Sequence, residues 1–469
     1  MTTYSLALQE RHDRQLKDHF FDHRVGHERV AFLLFGTSTI ANSSLAPESK
    51  TLLLKEIVLV PDQDIDASGQ HVTWSNDLFI PLLKKAARKN LVVGIAHSHL
   101  NWPAEFSEQD DRGEQDLLEL IQNRSGDQSK LISCVYSSLG EMQVRIWHAP
   151  GNHSSIHNTR ICGDRYFFKN GLDKQMPSPE LVRQALVFGE QLNKTIAHIK
   201  FTLVGCGGTG SAVAMLLARL GAKNFVLIDP DKVEVSNLNR LHGANHSDAS
   251  HDRSKVEVVS RHIREISPDA AVVECRGTVN DVAWQDLLKS SDVVFGCTDD
   301  NRGRLLINRL AYFYLIPVID LGLAIEVSKE PPYRVLALDG RVTCIGPGET
   351  CLLCRNVISI QRAREESLKA TNPNEYERQK LEAYVVGEGN PSPSVVTFTT
   401  EVATMAINEF IHRLQGFRGQ VGSTPSRTRQ FHRMHDLRPG DLPANDCPVC
   451  GEDLYWGLGD MTPFLDQVW

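Results

Sequence analysis

The stretch from Lys200 to Arg240 constrains this chain more than any other. An apolar run, Phe201 to Val204, leads into a turn containing Gly205, Gly207, Gly208 and Gly210, and an apolar segment from Ser211 to Leu220 follows directly. A short apolar run ending in glycine reads as a buried strand, and the segment behind the turn as a helix. Backbone N–H groups at that helix N-terminus, with the helix dipole, favour a phosphate. Side chains in the turn would hold the backbone away from the ligand, which is why glycine recurs. A second apolar run, Asn224 to Ile228, ends in Asp229. That is about twenty residues beyond the turn, where an acid accepts hydrogen bonds from a ribose. These features call for a nucleotide, most often a dinucleotide, without saying which.

Beyond Arg240 the expected elements alternate. Ser254 to Ile266 reads as helix, Ala271 to Cys275 as strand, Asp281 to Leu288 as helix, Asp292 to Gly296 as strand, Asn301 to Tyr314 as helix and Ile316 to Leu321 as strand. Such repetition predicts a Rossmann-like, doubly wound α/β sheet with its ligand at the carboxyl ends of the strands, where Cys297-Thr298-Asp299 falls. Asp229, Asp231, Ser236-Asn237-Leu238-Asn239-Arg240, Lys255 and Cys297-Thr298-Asp299 resemble the ATP site of the ThiF/MoeB family. Those enzymes adenylate ubiquitin-like and sulfur-carrier proteins, and a nicotinamide site accounts for none of the later motifs. The resemblance runs from Pro177 to Cys450 and implies a role for each matching residue. Gly205, Gly207, Gly208 and Gly210 would cradle ATP, Asp229 would bind ribose beside Asp231, and Asn237 would orient the phosphate region. Arg240 and Lys255 would hold phosphates, and Asp299 would hold Mg²⁺. Arg304 and Asn308 follow at the family's spacing. Arg183, in an amphipathic helix expected from Ser178 to Ala197, matches an arginine that reaches across a homodimer to the partner's ATP. A plain surface arginine fits that position equally.

Cys351-Leu-Leu-Cys354 and Cys447-Pro-Val-Cys450 are two chelating pairs far apart in sequence. Four thiolates make a closed structural zinc site, and related adenylating enzymes carry the same staple. Between the pairs, Arg362 to Tyr384 reads as a charged crossover segment, Glu388 to Ser394 as a loop and Thr397 to Gln415 as an apolar helix. Many ubiquitin-activating enzymes keep a thioester-forming cysteine in this region, but this chain has none from Arg355 to Asp446. Cys344 lies nearby in what reads as a strand end.

The N-terminal third carries a different signature. Leu91 to Ala96 reads as a strand ending in His97-Ser98-His99, and alternation puts both imidazoles on one side. Ser107 then suits the N-cap of a helix over Asp111 to Ile121, with Asp110 in its first turn. Two imidazoles and one carboxylate leave tetrahedral zinc an open position. The full pattern, His-x-His, seven residues, Ser, two residues, Asp, resembles the JAMM (JAB/MPN) metalloproteases, which cut after ubiquitin-like proteins. By that resemblance His97, His99 and Asp110 would bind a catalytic zinc, Glu28 would serve as base and then acid, and Ser107 would stabilise an oxyanion. The family's proline after the second histidine is Leu100 here, and proline comes only at Pro103.

The expected layout is therefore a JAMM-like α/β domain over residues 1–155, a linker over 156–176, and a ThiF-like domain with its zinc staple over 177–469. With 41% hydrophobic and 23% charged residues the composition is that of a globular protein. A formal charge of −8 and the lack of any long basic run argue against nucleic acid. No apolar stretch approaches the roughly twenty residues of a membrane span, and the N-terminus does not read as a signal peptide. Cysteines held in metal-type pairs fit a reducing compartment, hence the cytoplasm. The combined reading is a bifunctional enzyme using ATP, Mg²⁺ and Zn²⁺. One domain would trim a ubiquitin-like or sulfur-carrier protein or release it from targets; the other would adenylate its C-terminus for a conjugating-enzyme-like or other acceptor. Such fusions resemble those of bacterial ubiquitin-like operons, some linked to antiviral defence. An adenylating enzyme of sulfur or peptide metabolism, and a non-catalytic scaffold, stay open as alternatives.

Overall fold

Long apolar runs set the frame of the N-terminal half. In this computed structural model nine strands form one mixed sheet. Their order is Tyr166–Lys169, Asn158–Cys162, Thr3–Gln9, Ser49–Leu59, Val30–Ile40, Val92–His99, Leu131–Ser137, Met142–Ala149 and Asn152–Ile156. Described are residues 2–22, 26–41, 48–68, 71–74, 76–100, 102–169, 179–381, 393–440, 442–451 and 454–466. The two central strands, Val30–Ile40 and Val92–His99, are buried over most of their length because both sheet faces are covered. One core gathers Leu6, Leu16, Phe20, Phe35 and Tyr136. The other packs Phe79 and Leu83 of the helix Asn76–Lys89, and Leu118 and Ile121 of the helix Glu108–Ser125.

The C-terminal half holds an eight-stranded sheet. Its order is Ala271–Cys275, Asn224–Ile228, Lys200–Val204, Val293–Gly296, Val318–Val327, Val335–Ile345, Ser426–Gln430 and His435–Leu437. The first five strands are parallel, and the last three continue antiparallel. Helices Gly208–Arg219 and Val396–Gln415 pack together over one face around Phe201, Phe295 and Phe410. The helix Asn301–Phe313 covers the other, with Val204, Val294 and Val318 beneath it. The doubly wound sheet expected from the alternation is present.

Several local elements differ from the sequence reading. The helix expected from Ser211 begins already at Gly208, since glycines of the turn supply its first N–H groups. The helix expected over Ser178 to Ala197 is a 3-10 turn, Pro179–Leu181, and two helices, Val182–Phe188 and Glu190–His198. They break at Gly189, whose φ of 78° no helix accommodates. Ser178 itself lies outside the described residues, as do Tyr384 and Glu388 to Ser392 of the expected loop. The crossover segment forms two helices, Ile360–Thr371 and Pro373–Leu381, divided at the proline. Residues 156–176, expected as a linker, supply two strands: Asn158–Cys162 adds parallel to Thr3–Gln9, and Tyr166–Lys169 adds antiparallel to it.

The halves share an interface that the sequence pattern does not announce. Ala7 and Leu53 lie in the same core cluster as Leu315, Ile316 and Trp456. The buried Arg160 donates to the carbonyls of Ser291 and Leu315 at 3.1 and 3.2 Å, so a guanidinium satisfies backbone groups that would otherwise be orphaned. The segment after the second cysteine pair then runs along the strand Val30–Ile40. Asp460 N–H donates to Thr37 O at 2.8 Å, Thr39 N–H to the Asp460 carboxylate at 2.7 Å, and Lys55 to Leu454 O at 2.7 Å. Gly36 permits this approach, because a Cβ there would lie 2.1 Å from Gly457 O and 2.4 Å from Leu458 O. Gly36→Ala should therefore lift the tail from the strand and cost about 2–3 kcal/mol in denaturant unfolding, with faster hydrogen exchange at the Thr39 and Asp460 amides. Unchanged exchange there would show that the tail is not held by this contact.

Candidate functional site

The glycine turn closes on itself. Gly205 has φ of +95°, and a Cβ there would sit 2.6 Å from Cys297 O; one on Gly210 would sit 1.9 Å from Gly205 O. Both glycines are thus fixed by backbone approach, whereas a Cβ on Gly207 would meet nothing within 4 Å, which leaves that side of the turn open. Asp229, nearly buried, ties the turn to the next strand: Oδ2 accepts from Cys206 N–H at 2.7 Å and Oδ1 from Asp231 N–H at 2.8 Å. Burial raises its pKa, and the Lys255 ammonium opposes that rise. Lys255 lies 2.7 Å from Asp231 Oδ2. Burial works to lower the Lys255 pKa, but Asp229, Asp231 and Asp299 around it win and raise it. One ammonium among three carboxylates, beside an open glycine turn, is an arrangement for a polyanion with a divalent cation.

Arg240 lays its stem on Gly208, its Cγ 3.2 Å from where a Cβ would stand, and donates to Ser236 O at 2.7 Å and Asn239 Oδ1 at 3.0 Å. Asn237 spends its carbonyl oxygen on Glu234 N–H at 3.1 Å, capping its own turn. Asp300, not Asp299, caps the helix Asn301–Phe313 by accepting from Gly303 N–H. Arg183 is not brought to this cluster. It stands exposed on the helix Val182–Phe188, whose neighbours Leu181 and Gln184 pack at Gly221 and Leu220, the far end of the helix that the glycine turn begins. Asp320 and its partner Arg341 escaped the sequence reading. Asp320, fully buried, accepts from Arg304 Nε at 3.3 Å and Arg341 Nη2 at 2.5 Å. Asn308, expected at the family's spacing, accepts from Leu352 N–H at 2.9 Å and so holds the turn that bears the first cysteine pair.

In the N-terminal half the strand Val92–His99 delivers His97 and His99 to one side, and the helix Glu108–Ser125 delivers Asp110. Their ligand atoms all lie within 4.8 Å of one another, with His97 Nε2 3.2 Å from Asp110 Oδ1 and His99 Nε2 3.9 Å from Oδ2. Ser107 is the N-cap as expected. Its hydroxyl donates to Asp110 Oδ2 at 2.8 Å and accepts from Asp110 N–H at 3.2 Å. His99 Nδ1 lies 3.1 Å from Pro103 O, a partner that fixes the ring and leaves Nε2 for the cluster. Although burial penalises the charged carboxylate, His97 and Ser107 more than compensate and hold Asp110 well below the usual carboxylate range. Glu28 is half-buried beside the triad, and burial raises its pKa against the pull of His99 and His97. Its place is fixed by Arg29, whose N–H donates to Ser98 Oγ at 3.0 Å while Ser98 N–H donates to Arg29 O at 3.1 Å.

The four cysteines come together. Cys351 and Cys447 sulfurs are 3.7 Å apart, those of Cys354 and Cys450 3.6 Å, and all four lie within 4.8 Å of each other. Sulfurs about 2.3 Å from a tetrahedral zinc are about 3.8 Å from one another, whereas a disulfide brings them to about 2.05 Å. The donor set therefore fits a metal and excludes a disulfide. Hydrogen bonding from Cys450, with help from backbone N–H groups, pulls the Cys351 thiol down to about 5, the thiolate a metal requires. Cys344, by contrast, is buried in the strand Val335–Ile345, and that burial pushes its thiol up to about 12. It is a core residue, not a nucleophile.

Residues 181–449 match the ThiF family model. This chain belongs to the ThiF family. Residues 25–149 match the model of prokaryotic homologs of the JAB domain, so the chain is a JAB–ThiF fusion. It is 30% identical over 172 residues to the molybdopterin-synthase adenylyltransferase of Escherichia coli K12, covering 34% of this chain and 68% of that one. Identity to the ubiquitin-like modifier-activating enzyme 5 of Xenopus laevis is 31% over 165 residues, 32% of this chain and 38% of that one. The SAMP-activating enzyme E1 of Haloferax volcanii is 27% identical over 155 residues, 33% of this chain and 52% of that one. Among the described residues no helix is long and apolar enough to cross a membrane.

Metal analysis separates the two clusters. Purified full-length protein is expected to carry two zinc ions per chain by elemental analysis. Cys447→Ser should remove one and His97→Ala the other, each without disturbing its counterpart. A Cys447→Ser protein that keeps its full metal content would rule out the four-cysteine site.

Proposed function

We propose that the ThiF part of this chain uses ATP to adenylate the C-terminal carboxylate of a ubiquitin-like or sulfur-carrier protein, and that the JAB part is a zinc peptidase acting on the same tail. The observation that carries the first half is the convergence of Lys255, Asp229, Asp231 and Asp299 at the open glycine turn. The ThiF match and the adenylyltransferase relatives supply the reaction class.

In that reaction a carboxylate oxygen attacks the α-phosphorus, the bond to the β-phosphate oxygen breaks, and pyrophosphate leaves. Gly205, Gly207, Gly208 and Gly210 receive phosphate oxygens on backbone N–H groups, and Asp229 lies where a ribose would bind. Arg240 and Lys255 neutralise charge as it shifts toward the leaving group. Asp299 is the group that would hold Mg²⁺, which supplies further neutralisation when bound. The buried state of Cys344, with no cysteine from Arg355 to Asp446, favours direct transfer of the acyl group from the adenylate to an acceptor outside this chain, with AMP as the leaving group.

In the N-terminal half His97, His99 and Asp110 would hold zinc, a donor set of two imidazoles and a carboxylate that suits a catalytic ion. Such an ion, when bound, acts as a Lewis acid. Glu28 would accept a proton from water and return it to the leaving amine, and Ser107, its hydroxyl turned away from Asp110, would donate a hydrogen bond to developing negative charge. Homodimerisation is part of the proposal: Arg183, exposed beyond the far end of the helix Gly208–Arg219, would serve the nucleotide site of a partner chain.

Lys255→Ala and Asp299→Ala should each lower ATP–pyrophosphate exchange with a carrier protein by about 100-fold or more, roughly 2.7 kcal/mol of transition-state stabilisation. His97→Ala should leave that exchange unchanged and abolish shortening of the carrier tail, followed by mass spectrometry. Exchange surviving in Asp299→Ala would remove the adenylation reading, and shortening by His97→Ala would remove the peptidase reading.

A further inference from the structure

Beneath the proposed zinc ligands lies a charged cluster that the mechanism above does not use. Arg145, on the strand Met142–Ala149, is only 3% exposed. Its guanidinium is clasped by two carboxylates of the helix Glu108–Ser125: Nη1 lies 2.5 Å from Asp111 Oδ1, Nε donates to Glu114 Oε2 at 2.8 Å, and Nη2 lies 2.7 Å from that same oxygen. Glu114, 5% exposed, also accepts from Trp147 Nε1 at 2.6 Å. The guanidinium is sandwiched between Phe106 at 3.8 Å and Trp147 at 4.9 Å, and Phe106 in turn meets the edge of the His97 ring at 6.3 Å. Ser133, directly opposite Arg145 on the neighbouring strand, leaves room for all this.

Asp110, Asp111 and Glu114 belong to the first turns of one helix, so they move together. Asp110 is a short side chain on that helix, and whether it meets His97 and His99 is set by how the first turn sits against the sheet. A buried ion pair is a poor source of stability, since an apolar side chain of similar size usually does as well. What an apolar side chain cannot do is fix two carboxylates at defined points. We infer that Arg145 is a positioning residue for the metal site: by gripping Asp111 and Glu114 it sets the helix's first turn and Phe106, and so holds Asp110 in register with His97 and His99. The inference rests on the peptidase reading proposed above, which names the triad but gives Arg145 no part.

Full-length wild type, R145M, R145K and D111N loaded with Co²⁺ test it. Wild type should take up two cobalt ions, one of them absent from His97→Ala. R145M should weaken that second ion by about 10–100-fold, the usual loss when an outer-shell partner of a metal ligand is removed. Its visible ligand-field bands should shift, and kcat for tail cleavage should fall with KM little changed. R145K, which can reach one carboxylate but not both, should recover part of the affinity, and D111N should show a smaller loss of the same kind. ATP–pyrophosphate exchange in the same chains reports that the protein is folded and should stay within about twofold of wild type, because Arg145 lies outside the nucleotide site. If R145M loses the near-ultraviolet signal of its N-terminal tryptophans, D111N, whose side chain is 43% exposed, decides the matter. Variants that bind cobalt with wild-type affinity, bands and kcat overturn the positioning role. A wild-type chain that binds a single cobalt, lost in Cys447→Ser, overturns the peptidase reading itself and the inference with it.

Discussion

The nucleotide end of this molecule depends on one buried carboxylate. Asp229 accepts from Cys206 in the glycine turn and from Asp231 in the next loop, so a single side chain sets the spacing between two strand ends. Backbone N–H groups in such turns otherwise look to water or ligand, and binding them from below leaves the remaining ones aimed outward. The same carboxylate keeps Lys255 charged despite its burial, with Asp231 and Asp299 adding to the pull. Removing Asp229 would therefore affect the turn geometry and the lysine together, and the two effects could not be read as separate contributions.

Both halves solve the problem of buried charge in the same way, by gathering opposite charges into closed groups. Asp320 sits between Arg304 and Arg341, Glu409 between Arg413 and Arg418, and Glu114 beside Arg145. Each costs desolvation, and each is tolerable only because its partners are held in place by strands or helices already packed. His97 and His99 are different. Their Nε2 atoms lie 3.2 and 3.9 Å from the two oxygens of Asp110, and these ligand atoms converge as a donor set that fits a metal ion.

The five parallel strands of the C-terminal half were legible in the sequence, because they read as short apolar runs with helical segments between them. Val293–Gly296, Ala271–Cys275 and the turn glycines needed no tertiary information. The capping of Asp110 by Ser107 was legible too, since it is a contact three residues long. What escaped was set by distant partners. Nothing local marks Arg341 as facing Asp320, Asp111 and Glu114 as gripping Arg145, or Gly36 as the place where the tail passes. The two strands in the expected linker were missed for a related reason: Asn158–Cys162 opens with Asn-Thr-Arg and pairs as a strand along the edge that Thr3–Gln9 offers it. Asn237 spends Oδ1 on the Glu234 N–H, which leaves its Nδ2 group as the part of the side chain that can donate to an anion.

The placement of the four-cysteine site explains how the JAB and ThiF domains come to share one body. The chain leaves Cys450, and within a few residues Trp456 N–H of the indole returns to Val449 O at 3.1 Å while Arg11 of the N-terminal half covers its ring at 4.5 Å. Gly457 and Gly459 then hydrogen-bond the end of the helix Asn301–Phe313, and Asp460 reaches the strand Val30–Ile40. A tail of this length has too little apolar surface to order itself. Fixing its start at the cysteines removes much of the entropy it would lose on docking, so an ion held by the four thiolates would act on the domain interface without touching it. The orientation of the JAB half is then tied to a cysteine cluster that belongs to neither the histidine cluster nor the glycine turn. Under the proposed function, a tail released at one centre would emerge on a surface whose relation to the other centre is fixed, and tethering of that kind raises local concentration without any new contact.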